Sequence, residues 1–83
     1  MVFKTGELAR SKAGHDKDDV YVVIGSITRA GQEMVALADG RKRTVDSPKY
    51  KNPIHLQVIH NMITGELTDG NIRHFLESYG GDN

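Results

Sequence analysis

The sequence predicts a small, mainly antiparallel β-barrel followed by one short α-helix. Short runs of β-branched and aromatic residues alternate with turn-forming residues, and a helical period follows near the C-terminus. With 83 residues, the chain has no room for the helical crossovers that parallel strands require. We therefore expect one domain, with the barrel over residues 1–60 and a tail carrying an amphipathic helix over residues 61–83.

The first three strands and one hairpin follow from local patterns. GELARS, residues 6–11, places Leu8 and Ala9 in a polar frame and predicts the first strand. VYVVIGSI, residues 20–27, is typical of a strand covered on both faces. EMVALAD, residues 33–39, predicts a third strand, and Gly31 suits a hairpin turn that needs a positive φ.

The remaining β-structure is interrupted by prolines. RKRTVD predicts a short strand around Thr44 and Val45. Pro48 and Pro53 exclude a central strand and predict irregular backbone, so Lys49–Lys51 is expected in a loop. HLQVIH, residues 55–60, predicts the last strand.

Four apolar residues of the tail share one helical face. They are Ile72, Phe75, Leu76 and Tyr79, spaced at i, i+3, i+4 and i+7. Thr68 or Asp69 suits the N-cap of this helix. The stripe either packs on the barrel and closes an open end, or stays exposed as a docking surface.

Amino-acid composition indicates the cellular environment in which the protein is expected. No cysteine is present, so neither disulfides nor thiolate metal sites contribute to stability. No run approaches the roughly 18 consecutive apolar residues of a membrane span, and the start of the chain lacks the apolar stretch of a signal peptide. We expect a cytoplasmic protein.

The pattern of reactive side chains argues against an enzyme. The histidines lie at 15, 55, 60 and 74, and no serine stands in a nucleophile-elbow context. Asp16 and Asp18 could offer oxygens to a cation, but Lys17 separates them and the glycine and glutamate of an EF-hand are missing. We therefore expect no catalytic residue, no metal site and no cofactor, and we interpret residues 15–19 as a solvated turn.

Charge is concentrated in one segment of a chain with zero net charge. Residues 41–51 hold five basic residues and one acid, a local charge of +4, whereas residues 54–83 carry −3. Because Tyr50 lies between Lys49 and Lys51, the segment combines phosphate-binding cations with an aromatic ring that can stack on a base. The same pattern also suits a solvated loop that maintains solubility.

Two stretches of the sequence resemble a known family. GELARSKAGHDKDDVYVVIGSI resembles a KOW motif, and VALADGRKRTVDSPKYKNPIHLQ is similar to its continuation in large-subunit ribosomal proteins of archaea and eukaryotes. The chain as a whole looks like the small bacterial KOW-domain RNA-binding proteins, with the match covering residues 6–57. The resemblance implies a small SH3-like antiparallel β-barrel that binds structured RNA, commonly ribosomal RNA.

The resemblance also implies which residues face the RNA. In the first loop they are Arg10, Ser11, Lys12, Gly14, His15 and Lys17; in the second patch they are Arg41, Lys42, Arg43, Lys49, Lys51 and Asn52, with His55 nearby. The family usually has glycine after the Asp-Lys pair, where this chain has Asp18 and then Asp19, and Pro53-Ile54 stands where a further basic residue is usual. Because these two carboxylates would repel phosphate, the second patch is the better candidate.

The sequence thus predicts a non-enzymatic RNA-binding protein that is associated with the ribosome or with translation. Cations on two loops would contact phosphates, glycine backbone at Gly14 and Gly40 would allow close approach, and Tyr50 would stack on an exposed base. About five phosphate contacts predict a log–log salt slope of about −3.5 to −4.5. The alternative is an SH3-like protein-interaction module that docks through the tail helix.

Overall fold

The structure is a computed structural model that describes residues 3–80. In this region the elements are β1 (Glu7–Ser11), β2 (Val20–Arg29), β3 (Gln32–Ala38), β4 (Lys49–Lys51), a 3-10 turn (Pro53–His55), β5 (Leu56–Met62) and helix α1 (Asp69–Gly80). The protein is therefore mainly β, with one C-terminal helix, as the sequence predicts. No helix in the described part of the chain is long and apolar enough to cross a membrane.

The five strands form one antiparallel sheet in the order β4-β3-β2-β1-β5. The last strand returns beside the first, so β4 and β5 are the edges of an open sheet within residues 3–80. Strands β1 and β3 end on the same side, where β2 and β5 begin. This side, called the loop end below, carries residues 12–19, residues 39–48 and residues 52–55.

Each face of the sheet carries its own apolar cluster, because side chains alternate along the strands. One cluster is built from Phe3, Ala9, Tyr21, Val23, Val35, Leu37 and Leu56. The other contains Leu8, Val22, Ala38 and Ile72, with further half-buried side chains around them. Both faces are therefore covered, which explains why β2 consists almost entirely of apolar residues at its start.

Helix α1 covers the second cluster. Ile72 is fully buried there, and the half-buried side chains of Phe75, Leu76 and Tyr79 pack around it. Of the two alternatives for this stripe, packing against the β-structure is the one observed. The apolar face of the helix is thus part of the core.

The hairpin between β2 and β3 uses a two-residue loop. Ala30 has φ of 51° and Gly31 has φ of 78°, and Arg29 pairs with Gln32. Two consecutive positive φ values are the signature of the type I′ turn, which matches the twist of the flanking strands. The predicted positive φ at Gly31 is confirmed.

Two predictions between β3 and β5 are wrong. Thr44 and Val45 lie in irregular backbone, because the Val45 N–H donates to the Asp69 carboxylate of α1 (2.9 Å) instead of a neighbouring strand. Lys49–Lys51, which was expected in a loop, forms edge strand β4 and pairs with residues 35–37 of β3. The prolines at 48 and 53 limit this strand to three residues, and an edge position tolerates them.

Candidate nucleic-acid interface

The loop end brings together most of the residues that the sequence assigns to RNA binding. Residues 12–19 supply the first predicted loop, and residues 39–48 supply the first half of the second patch. The Lys12 N–H donates to the His55 carbonyl (2.8 Å), and Lys51 Nζ donates to the Ala13 carbonyl (3.1 Å). The two predicted patches are therefore in direct contact.

Asp16 is the centre of that contact. Its carboxylate accepts hydrogen bonds from Ser11 Oγ (2.9 Å) and Tyr21 OH (2.8 Å). It also forms ion pairs with Lys51 Nζ at 2.9 Å and Lys49 Nζ at 3.0 Å. Four donors from three elements thus converge on a residue that is only 8% exposed.

The environment of Asp16 changes its ionisation. Burial alone would raise the pKa of Asp16, but hydrogen bonds from Lys51, Lys49, Tyr21 and Ser11 outweigh burial and hold it well below its usual range. Burial raises the pKa of Tyr21 above its ordinary value, and the hydrogen bond to the Asp16 carboxylate raises it further. At neutral pH the pair is therefore a carboxylate and a neutral phenol.

These contacts correct the interpretation of residues 15–19 as a solvated turn. The neighbours of Asp16 are exposed, but Asp16 itself is buried and joins the loop to β4. Gly14 has φ of 86° and Asp18 has φ of 76°, so two left-handed residues fold the loop back over the strand. Lys49 and Lys51 point to this side because alternate residues of a strand share a face.

The second basic loop is held by helix α1. Asp39 Oδ1 accepts the backbone N–H groups of Arg41 and Arg43, both at 2.9 Å, which curls the loop at its start. Arg73 Nη1 of the helix donates to the Gly40 carbonyl (2.9 Å). Gly40 is buried against the first turn of α1, so the absence of a side chain allows close contact with the helix. The sequence had instead led us to expect close approach of RNA at this glycine.

Arg41 is engaged by the same helix. Its Nη2 forms an ion pair with the Glu77 carboxylate, and both side chains remain more than half exposed. An exposed pair of this kind contributes little to stability. It nevertheless places a carboxylate beside one of the predicted phosphate contacts.

Among the predicted RNA contacts, four lysine and arginine side chains have no partner among the described residues. They are Lys12 and Lys17 in the first loop, and Lys42 and Arg43 in the second. All four are exposed and lie at the loop end. They are the cations that a phosphate can reach without displacing a carboxylate.

The other predicted site residues have different surroundings. Arg10 Nη1 donates to the Asp18 carbonyl (3.3 Å), and the Asn52 side chain accepts the Ile54 N–H (3.1 Å) at the start of the 3-10 turn. His15 and His55 are exposed at the loop end. Tyr50 points to the opposite face of β4 from Lys49 and Lys51, and the Arg29 guanidinium lies 5.5 Å from its ring centroid.

Sequence reasoning missed three residues that shape this site. Asp16 and Glu77 neutralise predicted contacts from 35 and 36 residues away, and Arg29 covers Tyr50. The spacing of Lys49 and Lys51 gives one usable signal. If residues 49–51 form a strand, Lys49 and Lys51 lie on the same face, where a nearby acid would neutralise them. Asp16 is such an acid, and it lies in the loop that the resemblance places next to this segment.

Comparisons with known proteins add no assignment. No protein-family model matches the chain, and a search of curated proteins finds no match. Among residues 3–80, no three histidine, aspartate or glutamate side chains form a group that could hold a metal ion. The KOW resemblance stays a prediction based on the residues quoted above.

Proposed function

We propose that this protein is a non-enzymatic RNA-binding module of the KOW type that contacts structured RNA, most simply ribosomal RNA, in the bacterial cytoplasm. The observation that carries the proposal is the position of four cations, Lys12, Lys17, Lys42 and Arg43, on two loops at one end of the sheet, where none of them has a partner among residues 3–80. These loops are distant in sequence and adjacent in the fold. A polyanion with regularly spaced phosphates is the ligand that such a cationic end suits.

The proposed fold is an SH3-like barrel. Three features support this: β5 returns beside β1, both faces of the sheet carry apolar clusters, and a 3-10 turn joins the two edge strands. Register shifts in β2, between Val23 and Gly25, and in β1, between Glu7 and Leu8, favour the strong bending that a barrel needs. The resemblance to KOW domains leads to the same fold from the sequence.

The proposed mechanism is electrostatic, with specificity for RNA shape. Lysine and arginine side chains contact phosphates and release counterions, so affinity falls as salt rises. The ion pairs of Asp16 and Glu77 take Lys49, Lys51 and Arg41 out of the set of unpaired cations. Four remaining contacts give a log–log salt slope of about −2.8 to −3.6, which is shallower than the sequence alone predicts.

Charge reversal tests the proposal at single residues. Lys42→Glu and Arg43→Glu should each weaken RNA binding and make the salt slope shallower by at least about 0.7 to 0.9. Lys4→Glu is the matched control, because Lys4 is an exposed cation at the sheet end where β1 begins. Affinity and slope are measured by fluorescence anisotropy with a labelled ribosomal RNA fragment at several salt concentrations.

Two results would contradict the proposal. One is binding that does not change with salt. The other is an equal loss of affinity in Lys4→Glu and Lys42→Glu, because charge reversal far from a local interface should not weaken binding as much as reversal within it.

The alternative of a protein-interaction module predicts that partners captured from a lysate survive ribonuclease digestion. Its proposed docking surface, the apolar stripe of α1, is packed on the sheet.

A further inference from the structure

A groove of about 420 Å³ opens where α1 meets the loop end. The start of β2 lines one wall with Asp19 and Val20, and one face of the helix lines another with Arg73, Leu76 and Glu77. The second basic loop completes it. The groove therefore lies between the two loops whose cations carry the proposed RNA contacts.

The charges that line the groove cancel. Arg41, Lys42 and Arg73 face three carboxylates, those of Asp19, Asp39 and Glu77. A phosphate placed inside would meet these carboxylates, and a cation would meet the basic side chains. A purely apolar group would desolvate charges without replacing their hydrogen bonds. The lining suits a neutral ligand that has polar edges and apolar faces.

Most of these polar groups already have partners. Arg41 pairs with Glu77, Asp39 Oδ1 accepts two backbone N–H groups, and Arg73 donates to the Gly40 carbonyl. The side chains of Asp19 and Lys42 have none among residues 3–80. The groove thus offers one unpaired acceptor and one unpaired donor beside the aliphatic side chains of Val20 and Leu76.

We propose that this groove takes one unpaired guanine base of the bound RNA, an inference that rests on the proposed function. A nucleobase is neutral, has apolar faces and carries hydrogen-bonding groups on its edge. Unpaired bases are the usual targets of sequence-specific RNA recognition, because their edges and faces are accessible. The flanking phosphates would stay outside, within reach of the cations on the two loops.

Guanine is favoured because of what Asp19 and Lys42 can donate and accept. A carboxylate can accept two parallel hydrogen bonds from the guanine N1–H and N2–H groups, a charge-assisted bidentate contact. Lysine is a good donor to guanine O6 or N7, and because its ammonium has three N–H donors, Lys42 can contact the base and a flanking phosphate at once. Uracil offers a carboxylate only one N–H, and adenine offers only its amino group on the pairing edge. The Asp19 N–H donates to the Asp16 carbonyl, and the Asp19 carbonyl accepts the Ser11 N–H (both 2.9 Å). These two hydrogen bonds fix the position of the Asp19 backbone.

The test uses five labelled RNA hairpins that are identical except for one bulged position, which carries G, A, C, U or an abasic site. The parent protein should bind the G hairpin most tightly in anisotropy titrations. Asp19→Asn should reduce the preference for G over U by at least about fivefold, the lower range for a bidentate base contact. Asp46→Asn is the matched control, because it removes the same charge from an exposed aspartate of the second basic loop that does not line the groove.

The two substitutions should have different effects on the affinity for the G hairpin. Removing a carboxylate near phosphates should leave binding unchanged or strengthen it, and Asp46→Asn should do so equally for all five hairpins. Asp19→Asn should instead weaken binding of the G hairpin. Thermal melting verifies that both variants are folded.

The outcomes separate the inference from the proposed function. Equal, salt-dependent binding of all five hairpins by the parent would overturn the guanine site and leave RNA binding intact. An equal change of the G-to-U preference in both variants would also overturn it. If the parent bound no hairpin and no ribosomal RNA fragment even at low salt, both proposals would fail.

Discussion

Replacing Gly40 by alanine should destabilise the fold more than the same replacement at Gly31. The two glycines have nearly the same backbone conformation, with φ of 77° and 78°. Their surroundings differ. A Cβ added at Gly40 would lie 2.3 Å from the Asp69 carbonyl oxygen and 2.9 Å from the Arg73 nitrogen, whereas at Gly31 it would meet nothing within 4 Å.

The expected magnitudes follow from these contacts. The left-handed conformation costs an alanine roughly 1–2 kcal/mol, and this cost is common to both sites. The overlap at Gly40 is with helix backbone, which cannot rotate away, so the loop and α1 must separate. Overpacking of this kind costs about 1–3 kcal/mol more. Gly31→Ala should therefore lower the free energy of unfolding by about 1–2 kcal/mol, and Gly40→Ala by about 2–5 kcal/mol.

Urea denaturation followed by far-ultraviolet circular dichroism measures both values. Comparable m-values for the two variants would show that the unfolded states are similar, so that the midpoints report stability. RNA affinity, measured where both variants are folded, should fall for Gly40→Ala because its loop carries Lys42 and Arg43. Equal midpoints, or equal RNA affinity, would refute the conclusion that close packing against α1 positions this loop.

Two further predictions concern Asp16 and the hairpin turn. Asp16→Asn should lower the free energy of unfolding by about 3 kcal/mol at pH 7, because it removes one member of a buried cluster with Lys49 and Lys51. The pKa of Asp16 is lowered on folding, so its contribution is present above the unfolded value near 4 and is lost as pH falls below it. The stability difference between parent and variant should therefore shrink below about pH 4; a difference that stays constant down to pH 2 would contradict this. Ala30→Asn should raise stability by up to about 1 kcal/mol, since Asn-Gly suits a type I′ turn and alanine does not. A lower melting temperature in Ala30→Asn would contradict the turn assignment.

The elements with strong local patterns could be predicted from the sequence. Strands β2 and β3 begin and end within about two residues of the predicted bounds, their hairpin turn lies at Gly31, and helix α1 begins at Asp69, one of the two predicted cap residues. Each carries its signal within itself: a run of β-branched residues, a glycine at a positive φ, or a 3.6-residue period. Burial of the helix stripe was one of the two alternatives that its pattern allowed, and the fold decides between them.

The segment between β3 and β5 could not be predicted, because distant residues decide its conformation. Val45 bonds to Asp69, and Gly40 fits against the first turn of a helix that begins 29 residues later in the chain. Strand β4 depends on pairing with β3, and nothing within KYK distinguishes an edge strand from a loop. Tertiary contacts of this kind override local preference.

The same limit applies to the candidate site. The positions of the cations are read directly from the sequence, but their pairing is not. Lys51 and Arg41 meet Asp16 and Glu77 only because the chain folds back on itself. A count of basic residues therefore overstates the number that can bind phosphate.

At the loop end, acidic residues that balance the charge of the chain also form contacts with its basic residues. Asp16 and Glu77 neutralise cations where a segment with a charge of +4 would otherwise repel itself, and the contacts of Asp16 also join the first loop to β4. Ordering a flexible loop on binding costs free energy. Cations on a loop that is already fixed therefore contribute more to the net free energy of binding than the same cations on a flexible loop. Asp16 and Glu77 thus reduce the number of unpaired cations, while Asp16 fixes the loop of Lys12 and Lys17, and Asp39 fixes the loop of Lys42 and Arg43. If the proposed function holds, a surface built in this way would discriminate by the spacing of phosphates in a folded RNA, whereas an unrestrained basic tail would bind any polyanion.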